Sequence, residues 1–409
     1  MMTQALKQLV IVGVLLVLTA CQSADTDGTL TAEEGATMEA AVVASGKYFQ
    51  LTGVLADRPV TMELQEEQAS NDEGAPTFRG FYRYDDFGGP IAVYGGFNDN
   101  RQLVLTEQGS WEGEPHLLQG TWNPRSGYVG DWRSGNGKDV YPFAFQLETR
   151  VPVSFSAKSL RDSVKAFPQW PYSPELYLEI EWLDAQAGTV PAAQVKFLRS
   201  AIAQGLFAEG VHRPGEDLTA ALTASRNQLF QDYQEEMRDL RKDGLLDSLG
   251  EPDEYLSYNY AYSTSMQVYY NAADFVTLGY TDYSYTGGAH GIYATRVESY
   301  DLTRQRILKI SDILLPGYER KVSEALAQAI RIKYNLSEDA PLSAILFEDG
   351  IEANENFGIT NKGIFFVYTP YEIAPYVAGE IELFVAFANI KEFVKPEWLE
   401  KAGLNQEEE

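Results

Sequence analysis

The pattern of apolar and polar positions divides the chain into three stretches with different periods. From Gly46 to about Glu148 it changes over short distances. Tyr48–Leu55, Val60–Leu64, Phe78–Tyr84, Ile91–Phe97 and Gln102–Glu107 are short runs rich in β-branched and aromatic residues. Turn clusters such as Asp85–Pro90 and Asn98–Asn100 separate them. Runs of this length between such clusters read as strands, because these residues favour turn geometry over ladder pairing. No helical period of any length appears, so residues 46–150 are expected to form an all-β domain, a small sheet or barrel. Within it, Gly120-Thr121-Trp122 and Gly130-Asp131-Trp132 form a near-repeat around N-P-R-S-G. This predicts a hairpin with equivalent tryptophans. The two indoles either close the core of the sheet or form an exposed aromatic pair that stacks on sugar rings.

Residues 151–254 change character. Val151–Ser156 and Leu176–Leu183 read as strands on either side of a loop rich in proline and aromatics, Phe167–Pro174. A helix is expected from about Pro191 to Phe207, with Val195, Leu198, Ile202 and Leu206 as its apolar stripe. A second is expected from about Leu218 to Asp243, capped by Thr219 and stopped by Gly244. Its buried face is Leu222, Leu229, Tyr233, Met237 and Leu240, and its charge run is a solvated face.

From residue 255 to 396 tyrosines dominate. Tyr255–Tyr270 reads as extended, Asn271–Asp274 as a turn, Phe275–Thr286 as the return strand and Tyr293–Leu302 as a third strand. Tyr318–Asn335 has the clearest helical period, and Ile364–Thr369 and Ile381–Phe387 read as further strands. The expected fold class is α+β: an all-β sheet or barrel, then an antiparallel sheet packed with helices.

Candidate chemistry begins at Tyr280–Gly291, Y-T-D-Y-S-Y-T-G-G-A-H-G. Tyr283 and Tyr285 alternate with polar residues as on a strand with two faces. Gly287 and Gly288 then break the strand and deliver His290 with little local crowding. A second stretch, Pro370–Gly379, holds Tyr371, Glu372 and Tyr376 on a proline-stiffened connection. The three histidines, His116, His212 and His290, are far apart and lack metal-ligand spacing. A histidine-rich zinc site is excluded, while a carboxylate site is not. There is no G-x-S-x-G, Walker or Rossmann glycine pattern. No metal, cofactor or catalytic residue is therefore expected.

Charge and targeting signals set the compartment. The net charge of −27 makes nucleic acid and anionic membrane surfaces poor partners and draws basic proteins at long range. Residues 1–20 carry Lys7 and the apolar run Leu9–Leu18, which ends in L-T-A-C at Cys21. This reads as a signal peptide with a lipoprotein processing box. Cys21, the only cysteine, is the expected lipidation site. The chain is thus expected to be exported and lipid-anchored, in the outer membrane facing the periplasm if the cell is Gram-negative, as Gln22 favours. Residues 21–45 read as an acidic tether and 397–409 as an acidic tail.

The paired motifs Y-T-G-G-A-H-G (Tyr285–Gly291) and Y-x-P-Y-E-I-A-P-Y-x-x-G (Tyr368–Gly379) give a resemblance. Over roughly Tyr255–Pro396 the chain resembles the C-terminal extracytoplasmic domain of unknown function of RsiV-type anti-sigma factors and PdaC-type peptidoglycan deacetylases. The PdaC-type enzymes carry a comparable helix-containing segment before that domain, so Val151–Pro396 is similar to one composite module. The T-F-D-D motif and histidine pair of the PdaC catalytic half do not occur here, nor does the membrane span of the RsiV type. What remains is the domain that in RsiV proteins binds lysozyme. The resemblance implies a non-enzymatic, lipid-anchored envelope protein that binds lysozyme or a similar basic muramidase. Its expected recognition residues are Tyr283, Tyr285, His290, Tyr371 and Glu372. The rival expectation is a peptidoglycan- or glycan-binding lipoprotein that uses Trp122, Trp132 and Trp170. A hydrolase with an unrecognised carboxylate site is a third.

Overall fold

The computed structural model describes residues 42–67, 76–108, 113–207, 217–246 and 252–405. Cys21, residues 21–41 of the expected tether and His212 lie outside them, while its last residues from Val43 on enter the first strand. The first eight strands are β1 (Val43–Leu55), β2 (Arg58–Glu67), β3 (Thr77–Tyr84), β4 (Ile91–Phe97), β5 (Leu103–Glu107), β6 (Leu117–Asn123), β7 (Gly127–Arg133) and β8 (Val140–Leu147). Each pairs antiparallel with the next, and β8 returns to β1 from Leu51↔Leu147 to Leu55↔Phe143. The N-terminal unit is therefore a closed barrel, which leaves no strand edge to aggregate. Ala56 and Asp57 both take positive φ in the two-residue β1–β2 turn, the geometry that matches strand twist. Asn98, Asn123 and Asn136 hold the next turns by accepting backbone N–H groups with their side chains.

The barrel interior is filled. Leu51, Met62, Leu64, Leu103, Leu105 and Leu118 are fully buried. Tyr128 crosses between them and donates its hydroxyl to the Leu103 and Leu118 carbonyls at 2.9 and 2.7 Å. The near-repeat forms the expected hairpin, centred on Gly120↔Gly130. A Cβ at Gly120 would lie 2.1 Å from the Val129 carbonyl oxygen, so the close approach requires glycine. Strand alternation places both indoles on the inner face, at opposite ends of the barrel.

β1 is too long for the barrel alone. Its first residues, Val43–Lys47, pair with β9 (Ser154–Lys165). The sheet continues through β10 (Glu175–Gln186), β11 (Tyr260–Asn271), β12 (Phe275–Tyr285), β13 (Ile292–Asp301) and β14 (Arg306–Ile307). All these neighbours are antiparallel except β10 and β11, which run parallel. The expected antiparallel sheet is present, with this one parallel pair inside it. Two helices, α1 (Ala192–Gly205) and α2 (Leu218–Lys242), occupy the β10–β11 connection, and a crossover of that length returns the chain in the same direction. Val195, Leu198 and Ile202 of α1 and Leu222, Tyr233 and Met237 of α2 are buried against Met266, Val276, Leu278 and Tyr280. Asp217, not Thr219, caps α2 by accepting the Ala220 N–H at 2.8 Å. Gly244, at φ +76°, ends it. Residues 252–258 form a 3-10 helix rather than the start of the expected extended run.

The opposite face of β12 and β13 carries a second sheet: β15 (Phe357–Ile359), β16 (Gly363–Tyr368) and β17 (Ile381–Ala386). Thr277 donates to the Ile359 carbonyl at 2.8 Å, and Ser299 Oγ accepts the Ile359 N–H at 3.2 Å. After the short helix α3 (Ile310–Ile313), α4 (Glu319–Lys333) covers the outer face of this second sheet through Val322, Leu326 and Ile330. The C-terminal part thus has four layers: helices, sheet, sheet, helix. Pro396–Ala402 is a further helix, α5, with Trp398 buried in the same core. Most of the expected acidic tail is therefore structured, because Trp398 and Ala402 have an apolar seat.

The barrel docks on this body through its outer face. Phe81 stacks on Tyr269 at 3.8 Å, and Tyr269 on Phe365 at 4.8 Å. Glu63, 1% exposed, accepts from Arg83 at 3.1 Å, from Gln50 at 3.2 Å and from the Tyr48 hydroxyl. Asn271 of β11 donates to Tyr48 Oη at 2.9 Å and to the Val153 carbonyl at 2.7 Å. Gln65 bridges to the Met266 carbonyl and the Val268 N–H, each at 3.0 Å. Sequence position 150 marks the end of the barrel, yet the two parts share one strand and one buried polar network.

Candidate functional site

Three connections meet at one end of the main sheet. The register places Lys165 beside Glu175, Leu176 beside Tyr260, Ala261 beside Tyr285 and Ser284 beside Ile292. The loops that follow or precede these residues therefore share an edge. At this edge β12 ends and Gly287 and Gly288 turn the chain at φ +95° and +91°. A Cβ on Gly287 would lie 2.5 Å from the Ser257 carbonyl oxygen, so the hinge packs directly on the 3-10 helix.

The hinge presents His290, which is exposed. Its ring stacks on Tyr376 at 4.0 Å and 20°. The two motif stretches, some 80 residues apart in sequence, thus meet face to face. His290 Nδ1 lies 2.9 Å from the Gly291 carbonyl, which also accepts the Tyr376 hydroxyl at 2.8 Å. As only a donor fits a carbonyl, Nδ1 carries the proton and Nε2 is left as an acceptor. Tyr371 stands 5.5 Å from Tyr376 and Tyr293 meets it edge-on at 6.4 Å. The Tyr283 ring lies over Gly291, where any Cβ would come within 2.5 Å of it. Tyr285 donates to the Gly288 carbonyl at 3.0 Å and braces the hinge.

Tyr371 is 54% exposed and adopts φ +70°, a left-handed conformation that costs a residue with a Cβ about 1–2 kcal/mol. Glu372 behaves differently from its neighbour. Its carboxylate accepts the Thr369 N–H at 2.8 Å, the Thr369 hydroxyl at 3.2 Å and Asn354 Nδ2 at 2.9 Å. It braces the turn that presents Tyr371. At the far end of the loop, Glu380 accepts the Thr295 hydroxyl at 2.8 Å and the Thr295 N–H. Burial raises the Glu380 carboxyl above its ordinary range, against the pull of those two bonds.

The structure brings Tyr283, Tyr285, His290, Tyr371 and Glu372 to one surface. Tyr376, Tyr293 and Glu380 also belong to it and were missed as candidates. Tyr376 stands inside the motif that drew attention, but only the fold reveals its stacking on His290. Around the aromatic cluster lie exposed apolar side chains, Leu256, Ile292 and Val377, the last 83% exposed.

The three tryptophans separate. Trp170 is 6% exposed and stacks on Phe167 at 3.9 Å, with the Arg241 guanidinium 5.3 Å from its ring. It is a core residue with no free face for a sugar, which corrects that expectation. Trp122 packs edge-on against Phe49 and Phe78 at 5.0 and 5.6 Å and closes one end of the barrel, which is also a structural role. Trp132 lies at the other end, where Glu107 accepts its Nε1–H at 2.5 Å. Among the described residues, no three or more His, Cys, Asp or Glu side chains are grouped to hold a metal ion, and no helix is long and apolar enough to cross a membrane.

Comparison with known proteins falls on the C-terminal part. Residues 213–293 match the family described as deacetylase PdaC, and residues 311–388 match a protein of unknown function, DUF3298. The peptidoglycan-N-acetylmuramic acid deacetylase PdaC of Bacillus subtilis is 26% identical over 141 residues, 33% of this chain. The match spans only 30% of that enzyme's own length. A crystal structure of a DUF3298 family member from Bacteroides fragilis superposes with a TM-score of 0.54 at 21% identity. It covers 64% of this chain and 100% of the other, a likeness of fold. Over residues 213–388 the chain is similar to the PdaC and DUF3298 type of extracytoplasmic domain, and the barrel lies outside both matched segments.

Proposed function

We propose that this chain is a lipid-anchored binding protein of the cell envelope that acts by recognition rather than catalysis. Its partner is a basic protein of the lysozyme type, held on the surface built by His290, Tyr371 and Tyr376. The observation that carries this reading is the stacking of His290 on Tyr376, which joins the glycine-hinged and the proline-stiffened motifs into one aromatic surface. Tyrosine offers rigid contact area at little entropic cost, and a strained, braced Tyr371 is held ready for contact. Exposed Leu256, Ile292 and Val377 extend the apolar area. The net charge of −27 would steer a basic partner toward the surface. Deacetylation belongs to the Bacillus subtilis relative, and its T-F-D-D motif does not occur in this sequence.

The test is calorimetric titration of the mature, unlipidated protein with a c-type lysozyme, at about 0.05 M and about 0.5 M salt. Over this range the screening length shrinks severalfold. Binding that survives high salt and weakens in Tyr371→Ala and His290→Ala is expected. Binding that disappears with salt would reduce the interaction to net charge and defeat the proposal.

A further inference from the structure

The end of the barrel that holds Trp132 is built differently from the rest of its interior. Register puts the ends of β1, β3, β5 and β7 and the starts of β2, β4, β6 and β8 there. The inward layer just below is apolar: Val60, Val93, Leu105 and Leu118. Above it the inward-facing positions are Arg58, Tyr84, Ile91, Glu107, His116, Trp132 and Tyr141. The opposite end is closed by Trp122, Phe49, Phe78 and Phe97, with Leu147 partly buried beside them.

The polar groups of this layer are arranged. Glu107 Oε1 accepts both the Tyr82 hydroxyl and Trp132 Nε1–H at 2.5 Å. Its Oε2 takes no donor among the described residues. His116 Nδ1 accepts the Gly135 N–H at 3.0 Å, which leaves the proton on Nε2. The His116 ring lies 4.9 Å from Trp132, and Trp132 lies 5.8 Å from Tyr141, which is 44% exposed. Arg58 lies 4.3 Å over the Tyr84 ring and is already paired with Asp86 at 2.8 Å.

We propose that this end of the barrel is a binding site for a neutral carbohydrate, with a pyranose ring stacked on the Trp132–Tyr141 aromatics and a hydroxyl donated to Glu107. Among the described residues Glu107 Oε2 has no donor and His116 Nε2–H no acceptor, and with the adjoining aromatic faces they suit a polyol, which both donates and accepts and has an apolar ring face. A cation would use Glu107 but leave the His116 donor unpaired and sit near Arg58. An anion would meet Glu107, with Arg58 already neutralised by Asp86. A long apolar ligand has no room, because Tyr128 and its leucines fill the barrel below. The site is separate from the His290 surface and does not depend on its role.

The test is tryptophan fluorescence titration of the full mature protein with chitotetraose, cellotetraose and maltotetraose, each up to about 10 mM. Saturable binding of at least one is expected. It should weaken about tenfold in Tyr141→Ala and in Glu107→Gln, the loss of one aromatic contact or one charge-assisted hydrogen bond. It should be unchanged in His290→Ala. Tyr141 is exposed enough for its variant to fold even if Glu107→Gln does not, and thermal melts check both. The proposal is overturned if no sugar binds, if binding is indifferent to Tyr141→Ala, or if choline binds in place of the sugars.

Discussion

Replacing Arg83 with methionine should cost about 3–5 kcal/mol of stability. Arg83 carries the countercharge of Glu63, at 3.1 Å, where the barrel meets the main sheet. Both side chains are nearly or fully buried. The Arg83 guanidinium also lies 4.4 Å over the Tyr270 ring, a contact worth about 1 kcal/mol of that total. Methionine preserves most of the stem volume but leaves the Glu63 carboxylate with only the neutral donors of Tyr48 and Gln50. A buried charge without its partner is the costly state, so neutralising Glu63 as well should recover much of the loss. Glu63→Gln combined with Arg83→Met should cost less than the sum of the single changes by at least about 1 kcal/mol. Urea unfolding followed by tryptophan fluorescence reads both parts, with Trp132 in the barrel and Trp182 and Trp398 outside it. The wild type should unfold in one transition, because the parts share β1 and the network. A loss below about 1 kcal/mol, strict additivity in the double variant, or separate transitions in the wild type would refute this account of the junction.

Three further outcomes follow from particular residues. At Tyr371, glycine should be about 1 kcal/mol more stable than alanine, because only glycine escapes the cost of φ +70°; thermal melts in which alanine equals or exceeds glycine would deny the left-handed turn. Asp217→Ala should lose about 1 kcal/mol in urea melts while Thr219→Ala loses almost nothing, and the reverse order would return the cap to Thr219. Burial pushes the Glu382 carboxyl from 4.5 up to about 7, against Lys333 and the Tyr269 hydroxyl and with help from Glu380. A folded-state value above the unfolded one gives stability that is full below about 4.5 and lost as pH rises through about 7. Glu382→Gln should therefore flatten the fall of the urea midpoint between pH 5 and 8, and an unchanged slope would remove Glu382 as its source.

The sequence carried the local elements well, because period and turn chemistry are local. Helices α1, α2 and α4 follow their apolar stripes, and the five strand runs read before residue 108 become β1–β5. Barrel closure was not legible, since the pairing of β1 with β8 joins residues about a hundred positions apart. The dual use of β1 was hidden for the same reason. Trp122 and Trp132 look equivalent as text, yet strand direction sends them to opposite ends. The aromatic surface around His290 was half visible. Glycines announced the hinge, and prolines announced the loop, but neither says that His290 and Tyr376 will stack. Trp170 misled because loops rich in proline are usually exposed, and Tyr172 of this one is, whereas the Trp170 ring turns inward onto Phe167 with Arg241 of α2 over it.

The most direct test of the central claim is hydrogen–deuterium exchange of the mature protein with and without a bound lysozyme. The account predicts slowed exchange confined to the 3-10 helix at 252–258, the hinge at 286–292 and the loop at 371–379, with the barrel unchanged. Protection on the barrel in place of these segments, or none anywhere, would contradict it.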